Sequence, residues 1–109
     1  MLDSRLSACI KDCLDCVVTC QACAAACLKE PDVQMMAGCI ALDLDCADIC
    51  ATAAKLMARN SANAQRYCQL CAEVCRACAK ECEQHPADHC QACAKTCLLC
   101  AEACENMAA

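Results

Sequence analysis

The chain has 109 residues, a mass of 11.5 kDa and a formal net charge of −5, which limits it to a single modest domain. Its nine Lys and Arg residues are scattered, so the clustered basic face of a nucleic-acid-binding protein is missing. The sequence contains no stretch of about 18 uninterrupted apolar residues, so no membrane span is predicted. One glycine, two prolines and a single aromatic residue leave little material for strands, hairpins or an aromatic core.

Proline and polar turn residues divide the chain into four predicted helices. Asp3 or Ser4 is the expected N-cap of the first helix, which ends before Pro31 because a residue preceding proline avoids helical geometry. Pro86 is expected in the first turn of the last helix. Short connections force antiparallel neighbours, so residues 1–109 are predicted to form one all-α, up-down-up-down four-helix bundle. The predicted helices span about residues 3–29, 32–59, 63–84 and 86–107.

Nineteen cysteines recur at alternating steps of three and four residues within these helices. Because an α-helix turns once per roughly 3.6 residues, this spacing places the thiols on one face, where other bundles carry leucine. The sequence therefore predicts a core lined with sulfur. The cysteines are Cys9, Cys13, Cys16, Cys20, Cys23, Cys27, Cys39, Cys46, Cys50, Cys68, Cys71, Cys75, Cys78, Cys82, Cys90, Cys93, Cys97, Cys100 and Cys104.

The thiols are predicted to be reduced, although such a cysteine content is usual in secreted disulfide scaffolds. Their number is odd, and residues 1–8 have no apolar run that could serve as the core of a signal peptide. Thiols three or four residues apart on one helix also meet disulfide geometry poorly. These features indicate a cytoplasmic protein with free thiols.

The second predicted helix carries fewer cysteines than the others. The spacing of Cys39, Cys46 and Cys50 places Asp43 on the same face, either as a metal ligand or as a salt-bridged or capped structural acid. A second apolar stripe on this helix is expected to pack against a neighbouring helix or to form a subunit interface. Leu42, Ile49 and Leu56 form this stripe at heptad spacing, and Ile40 and Leu44 join it on a neighbouring face.

Nineteen cysteines in register indicate a soft-metal store, and Cu(I) is the preferred ion. If each thiolate bridges two Cu(I) ions and each ion takes two thiolates, every unit is formally neutral and can be buried at little cost. A zinc ion with four thiolates carries net negative charge, which is costly in a dry core. Sequestration of zinc or cadmium remains the alternative within the binding class.

Catalytic classes find little support in the sequence. In thioredoxin-like enzymes a CxxC pair lies where a strand leads into a helix, but no strand is predicted beside pairs such as Cys13 and Cys16. The cysteine run of bacterial ferredoxins, which would indicate an iron-sulfur cluster, is absent. The Glu-x-x-His pairs of a di-iron site are absent as well. No oriented cysteine, histidine and acid set is readable. The chain is predicted not to be an enzyme, with a thiol oxidoreductase as the less favoured alternative.

The residues resemble the bacterial cytosolic copper storage proteins along essentially the whole chain. The similarity lies in the run from Cys9 to Cys27, in GCIALDLDCADIC at residues 38–50 and in HCQACAK at residues 89–95. This resemblance implies a four-helix bundle assembled into a homotetramer that stores many Cu(I) ions in the cytosol. It also implies that His89 is a copper ligand.

Four soft or nitrogenous side chains are predicted at one end of the bundle, where the first helix ends, the second begins, the third ends and the fourth begins. We call this end the mouth; it gathers Met35, Met36, His85 and His89. Thioether and imidazole bind Cu(I) more weakly than a thiolate cage, which suits metal entering the core. The alternative is that the methionines fill the core and His85 belongs only to a turn.

Overall fold

Four helices run side by side in the computed structural model, which describes residues 3–108. Helix α1 packs against α2 and α4, and α3 packs against the same two helices. The bundle is an elongated rod of 46 × 19 × 17 Å. Within residues 3–108 there is no strand. The predicted antiparallel bundle with a cysteine-lined core is confirmed. The helices are α1 (Ser4–Cys27), α2 (Ala37–Ala58), α3 (Ala64–Glu83) and α4 (Asp88–Ala108).

Local capping explains where α1 begins and where α2 ends. Asp3 is the N-cap of α1, and its Oδ1 atom accepts a hydrogen bond from the backbone N–H of Leu6 at 2.8 Å. Asn60, after the end of α2, has a positive φ of 53°. The N–H groups of Asn60 and Ser61 donate to the carbonyls of Met57 and Leu56, which satisfies the last carbonyls of α2. The polar residues therefore end α2 sharply and turn the chain into α3.

Two helix starts differ from the sequence prediction. Residues Val33–Met36 form a short 3-10 helix, so α2 begins at Ala37 and not near residue 32. The prediction that Pro86 lies in the first turn of α4 is wrong, because α4 begins at Asp88. The side chain of Gln91 donates to the carbonyl of His85 at 2.7 Å and holds the segment before α4 in a non-helical turn.

The second apolar stripe on α2 divides between the core and the surface. Leu56 is buried, while Ile40, Leu42 and Ile49 are half-buried and pack against the core. Leu44 alone in this set is exposed, at 42% of its surface. Most of the stripe therefore stabilises the bundle itself.

The outer face of the bundle carries charged side chains on every helix. Exposed ion pairs include Lys11 with Asp15 at 2.8 Å and Arg76 with Glu105 at 2.6 Å. Such exposed pairs contribute little to stability. None of the helices within residues 3–108 combines the length and apolar character needed to cross a lipid bilayer.

Candidate metal centre

All nineteen thiols lie inside the bundle, and the exposed fraction of each cysteine is 2% or less. Together they form what we call the sulfur column, which runs along the bundle axis. The helices approach one another closely because buried alanines flank the thiols. These alanines are Ala24, Ala47, Ala53, Ala54, Ala72, Ala79, Ala94 and Ala101. The column is thus built from the 3,4 spacing of the sequence and from small neighbouring side chains.

Sulfur atoms from facing helices are in contact along the column. The Sγ atoms of Cys39 and Cys82 are 3.4 Å apart, and Cys46 lies at the same distance from Cys75. Sulfurs that share a tetrahedral ion with bonds of ~2.3 Å are about 3.8 Å apart. The spacing of the free thiols is therefore already close to that of a thiolate metal site.

Neighbouring groups of four thiols share members. In each group the four Sγ atoms lie within 4.8 Å of one another. Cys16 and Cys46 belong to two of these groups, and so do Cys20 and Cys97. Shared sulfurs suit bridging thiolates better than separate closed sites. The groups include Cys16, Cys46, Cys50 and Cys75; Cys16, Cys20, Cys46 and Cys97; Cys20, Cys78, Cys93 and Cys97; Cys13, Cys71, Cys100 and Cys104; and Cys23, Cys27, Cys39 and Cys90.

Burial keeps the thiols near the mouth protonated. Removal from water raises the pKa of Cys90 to about 11 and also raises the pKa of Cys39. Thiolates are the ligand form, so a metal ion that binds here displaces protons. Cys39 and Cys90 are consequently neutral thiols in the metal-free protein, a form that a bundle can bury without a large electrostatic penalty.

Asp43 is fully buried between the thiols, one turn from Cys39. Its Oδ1 atom accepts hydrogen bonds from the thiols of Cys78 at 3.1 Å and Cys93 at 3.3 Å. Burial, together with the nearby cysteines, raises the pKa of Asp43 to about 9. Among residues 3–108 no cation pairs with it. Asp43 is therefore not salt-bridged; its carboxyl group is hydrogen-bonded by thiols and faces the sulfur column directly.

His89 lies beside the last thiols of the column. Its Nδ1 atom is 3.4 Å from the Sγ atom of Cys23 and 3.6 Å from that of Cys90. Its other ring nitrogen, Nε2, is 2.8 Å from Oε1 of Glu30. The structure thus brings His89 to the thiols, as the sequence predicts for a residue at the mouth.

The other residues predicted at the mouth line an open cavity of about 350 Å³. Met35 is 68% exposed and Met36 only 6%, so one thioether faces solvent and the other faces the core. His85 also lines this cavity, and its Nε2 atom is 2.8 Å from Oε2 of Glu81. His85 contacts a carboxylate and no thiol among the described residues.

The two carboxylates that hold the histidines were not singled out from the sequence. Glu81 precedes His85 by four residues across the end of α3, so this spacing alone could have found the pair. Glu30 and His89 are 59 residues apart, and only the tertiary fold joins them.

The far end, opposite the mouth, is lined by both apolar and polar side chains, the polar ones being Asn60, Ser61 and Gln65. Leu6, Met57 and Met107 line a cavity of about 340 Å³ there, next to Cys68. Cys68 itself is 1% exposed. The residues that line this end thus include no histidine and no carboxylate, whereas those that line the mouth include both.

Comparison with known proteins identifies the lineage of this thiol-lined bundle. A family model described as copper storage protein matches residues 2–109. The chain belongs to the copper storage protein family. The resemblance seen in the sequence is thereby confirmed.

Individual relatives agree with this assignment. The uncharacterized cysteine-rich protein YhjQ of Bacillus subtilis (strain 168) is 51% identical over 88 residues, which cover 81% of this chain and 82% of that protein. The Cu(I)-bound copper storage protein BsCsp3, from the same species, matches with a TM-score of 0.93 and 49% identity. That match covers 97% of this chain and all of the other.

A more distant member keeps the same fold. A cytosolic copper storage protein from Streptomyces lividans, loaded with five coppers, matches with a TM-score of 0.92 and 39% identity. The match covers 95% of this chain and 92% of the other. The bundle is therefore preserved in this relative although only 39% of the aligned residues are identical.

Proposed function

We propose that this protein stores and buffers Cu(I) in the cytosol by holding many ions on cysteine thiolates inside the bundle. The observation that carries the proposal is the continuous sulfur column, in which every thiol is buried and facing sulfurs approach to 3.4 Å. The related proteins described as Cu(I)-bound and as cytosolic support it. A column of many similar ligands provides capacity, which is what a store needs.

The charge of the core favours Cu(I) over zinc or cadmium. The only buried charged or polar side chain in the described core is Asp43, an acid, which cannot neutralise an anionic cluster. Bridged Cu(I)-thiolate units are formally neutral, whereas a divalent ion with four thiolates is not. The shared members of the four-thiol groups also fit bridging ligands.

The proposed ligands are the nineteen cysteines of the sulfur column together with His89 and Asp43. His89 qualifies because its Nδ1 atom lies within 3.6 Å of two thiols, and Asp43 because an oxygen lies within 3.3 Å of two more. Imidazole and carboxylate bind Cu(I) less tightly than thiolate. These two residues therefore serve transfer more than capacity.

The protein is proposed to act without catalysis. A thiol oxidoreductase requires an accessible cysteine with thiolate character. Here burial raises the pKa of Cys90 and Cys39, and no cysteine is more than 2% exposed. Both features favour storage over thiol exchange.

Residues 1–109 are proposed to form one domain that assembles into a homotetramer, as the family resemblance implies. Exposed apolar side chains on α1 and α4 supply surface that a second copy would cover. Leu14, Val18 and Leu99 are each about half exposed or more. Val18 and Leu99 also line one shared surface cavity.

Metal competition tests the proposed function. Reduced protein is titrated anaerobically with Cu(I) and, separately, with Zn(II), and the metal retained after gel filtration is measured. We expect Cu(I) to be retained in large excess over the protein and to displace zinc. Preferential retention of zinc, or loss of copper during gel filtration, would refute Cu(I) storage.

A further inference from the structure

We propose that Glu30 is a positioning residue, which orients the imidazole of His89 so that its Nδ1 lone pair faces incoming Cu(I) at the mouth. This inference rests on the proposed function, since Cu(I) is the ion that the histidine would meet. It assigns a role to a carboxylate that is itself not a ligand.

The contact between Glu30 and His89 joins two separate parts of the bundle. Glu30 follows the end of α1, where its backbone N–H donates to the carbonyl of Cys27 at 3.2 Å. His89 is the second residue of α4. Oε1 of Glu30 lies 2.8 Å from Nε2 of His89, and about a quarter to a third of each side chain is exposed. The contact therefore links the end of α1 to the start of α4 at the mouth, and both side chains stay partly exposed to solvent.

The chemistry of this contact selects one form of the imidazole. A carboxylate only accepts hydrogen bonds, so Nε2 of His89 carries the proton that Glu30 accepts. In the neutral ring Nδ1 then keeps its lone pair. That atom is the one 3.4 Å from Cys23 Sγ and 3.6 Å from Cys90 Sγ. Glu30 thus directs the only basic nitrogen of His89 toward the thiols that first meet the metal.

Carboxylates of this kind affect metal binding measurably. A carboxylate that holds the second nitrogen of a ligating histidine fixes the ring and raises its basicity, and its loss typically costs about 10- to 100-fold in affinity or activity. Without Glu30, Nδ1 and Nε2 would compete for the proton, and the ring would rotate more freely. Copper would then meet a correctly oriented lone pair less often.

The second histidine of the mouth offers a matched control. His85 is held by Glu81 at the same 2.8 Å, but its contacts within residues 3–108 include no thiol. Removing Glu81 deletes the same charge from the same end of the bundle. An effect that belongs to positioning must therefore be larger for Glu30 than for Glu81.

The first test is made on the metal-free protein. Nitrogen-15 NMR of reduced apo protein at pH 8, where an ordinary imidazole is neutral, reports which nitrogen of His89 is protonated. We expect wild type to show Nε2–H, Glu30→Ala to show a mixture of both tautomers, and Glu81→Ala to leave His89 unchanged. A wild-type His89 spectrum in Glu30→Ala would overturn the proposal.

The second test measures transfer of Cu(I) from a coloured chelator by stopped flow. Glu30→Ala should slow uptake by about 10-fold or more, Glu81→Ala by much less, and neither should change total capacity. Glu30→Gln keeps an acceptor oxygen without the charge, so it should retain more of the rate than Glu30→Ala. Equal slowing in Glu30→Ala and Glu81→Ala, or in Glu30→Gln and Glu30→Ala, would assign the effect to charge and refute positioning.

A double-mutant cycle shows whether Glu30 acts through His89. In a His89→Ala background, Glu30→Ala should cause no further slowing, and a full additional effect would contradict the proposal. If the wild-type protein bound no copper, the proposed function would fail. Normal copper capacity with an unaltered uptake rate in Glu30→Ala would reject only the role of Glu30.

Discussion

The Oδ1 atom of Asp43 lies 3.1 Å from the Sγ atom of Cys78, deep within the bundle. Three further thiols approach the same carboxyl group: Cys93 at 3.3 Å, Cys82 at 3.6 Å and Cys39 at 3.8 Å. An acid in such surroundings is held in its neutral form because burial disfavours the charge. The stability of the metal-free protein must therefore depend on pH.

The stability of apo protein should fall as pH rises from about 5 to 8. The pKa of Asp43 is about 9 in the folded state against an ordinary 3.8, so the folded protein binds more protons than the unfolded chain across this window. The free energy of unfolding should decrease by up to about 1.4 kcal/mol per pH unit from this one group. Urea unfolding of reduced, chelated protein at several pH values measures the slope.

Asp43→Asn serves as the control for that slope. The amide cannot ionise, so its free energy of unfolding should vary much less over the same pH range. A wild-type slope in Asp43→Asn would show that another group is responsible.

Removal of one thiol from the middle of the column should lower capacity without changing the rate of uptake. Cys75 contacts the sulfurs of Cys46 at 3.4 Å and Cys50 at 3.6 Å, far from either end. Cys75→Ala should bind about one or two fewer Cu(I) ions, because each thiolate bridges about two ions. Metal analysis of saturated protein gives the number, and stopped flow gives the rate. Full capacity in this variant would contradict its role as a ligand.

Changes at the mouth should have the opposite effect. His89→Ala, alone and with Met35→Leu and Met36→Leu, should slow copper uptake or removal while capacity changes by only a few ions, since nearly all ligands are cysteines. Transfer to a coloured Cu(I) chelator reports both quantities. Met57→Leu at the far end is the control, and if it slowed transfer while the mouth variants matched wild type, the entrance would lie at the far end.

Gly38→Ala should stabilise the apo protein by about 0.5 kcal/mol. Gly38 lies inside the first turn of α2, and its φ is not positive, so alanine fits the backbone and restricts the unfolded chain. A Cβ atom there would be 3.4 Å from the flexible carboxylate of Glu81, an ordinary contact. Thermal unfolding measures the gain, and a loss of stability would show that Glu81 cannot adjust.

The sequence predicts the column well because its signal is local. The 3,4 spacing fixes which face of each helix carries the thiols, and every cysteine is buried as predicted. The position of Asp43 follows from the same periodicity. The start of α4 was misplaced because its turn depends on a side-chain contact from Gln91, which spacing does not reveal.

The mouth was predicted only in outline because its contacts are tertiary. Helix ends place Met35 and Met36 together, but only the 3-10 turn decides that one is exposed and the other buried. The contact of His89 with Glu30 spans 59 residues and leaves no periodic signal. Capacity can thus be inferred from the sequence, whereas the route of the metal requires the structure.

Direct titration tests the central claim most sharply. Reduced protein is titrated anaerobically with Cu(I) while the thiolate-to-copper absorption and circular dichroism are recorded. We predict saturation at about one Cu(I) per cysteine, or about nineteen ions per chain, with little change in helix content because the apo bundle is already folded. Saturation at four or five ions, or helix that forms only when metal is added, would contradict a preformed bundle that stores copper along its whole sulfur column.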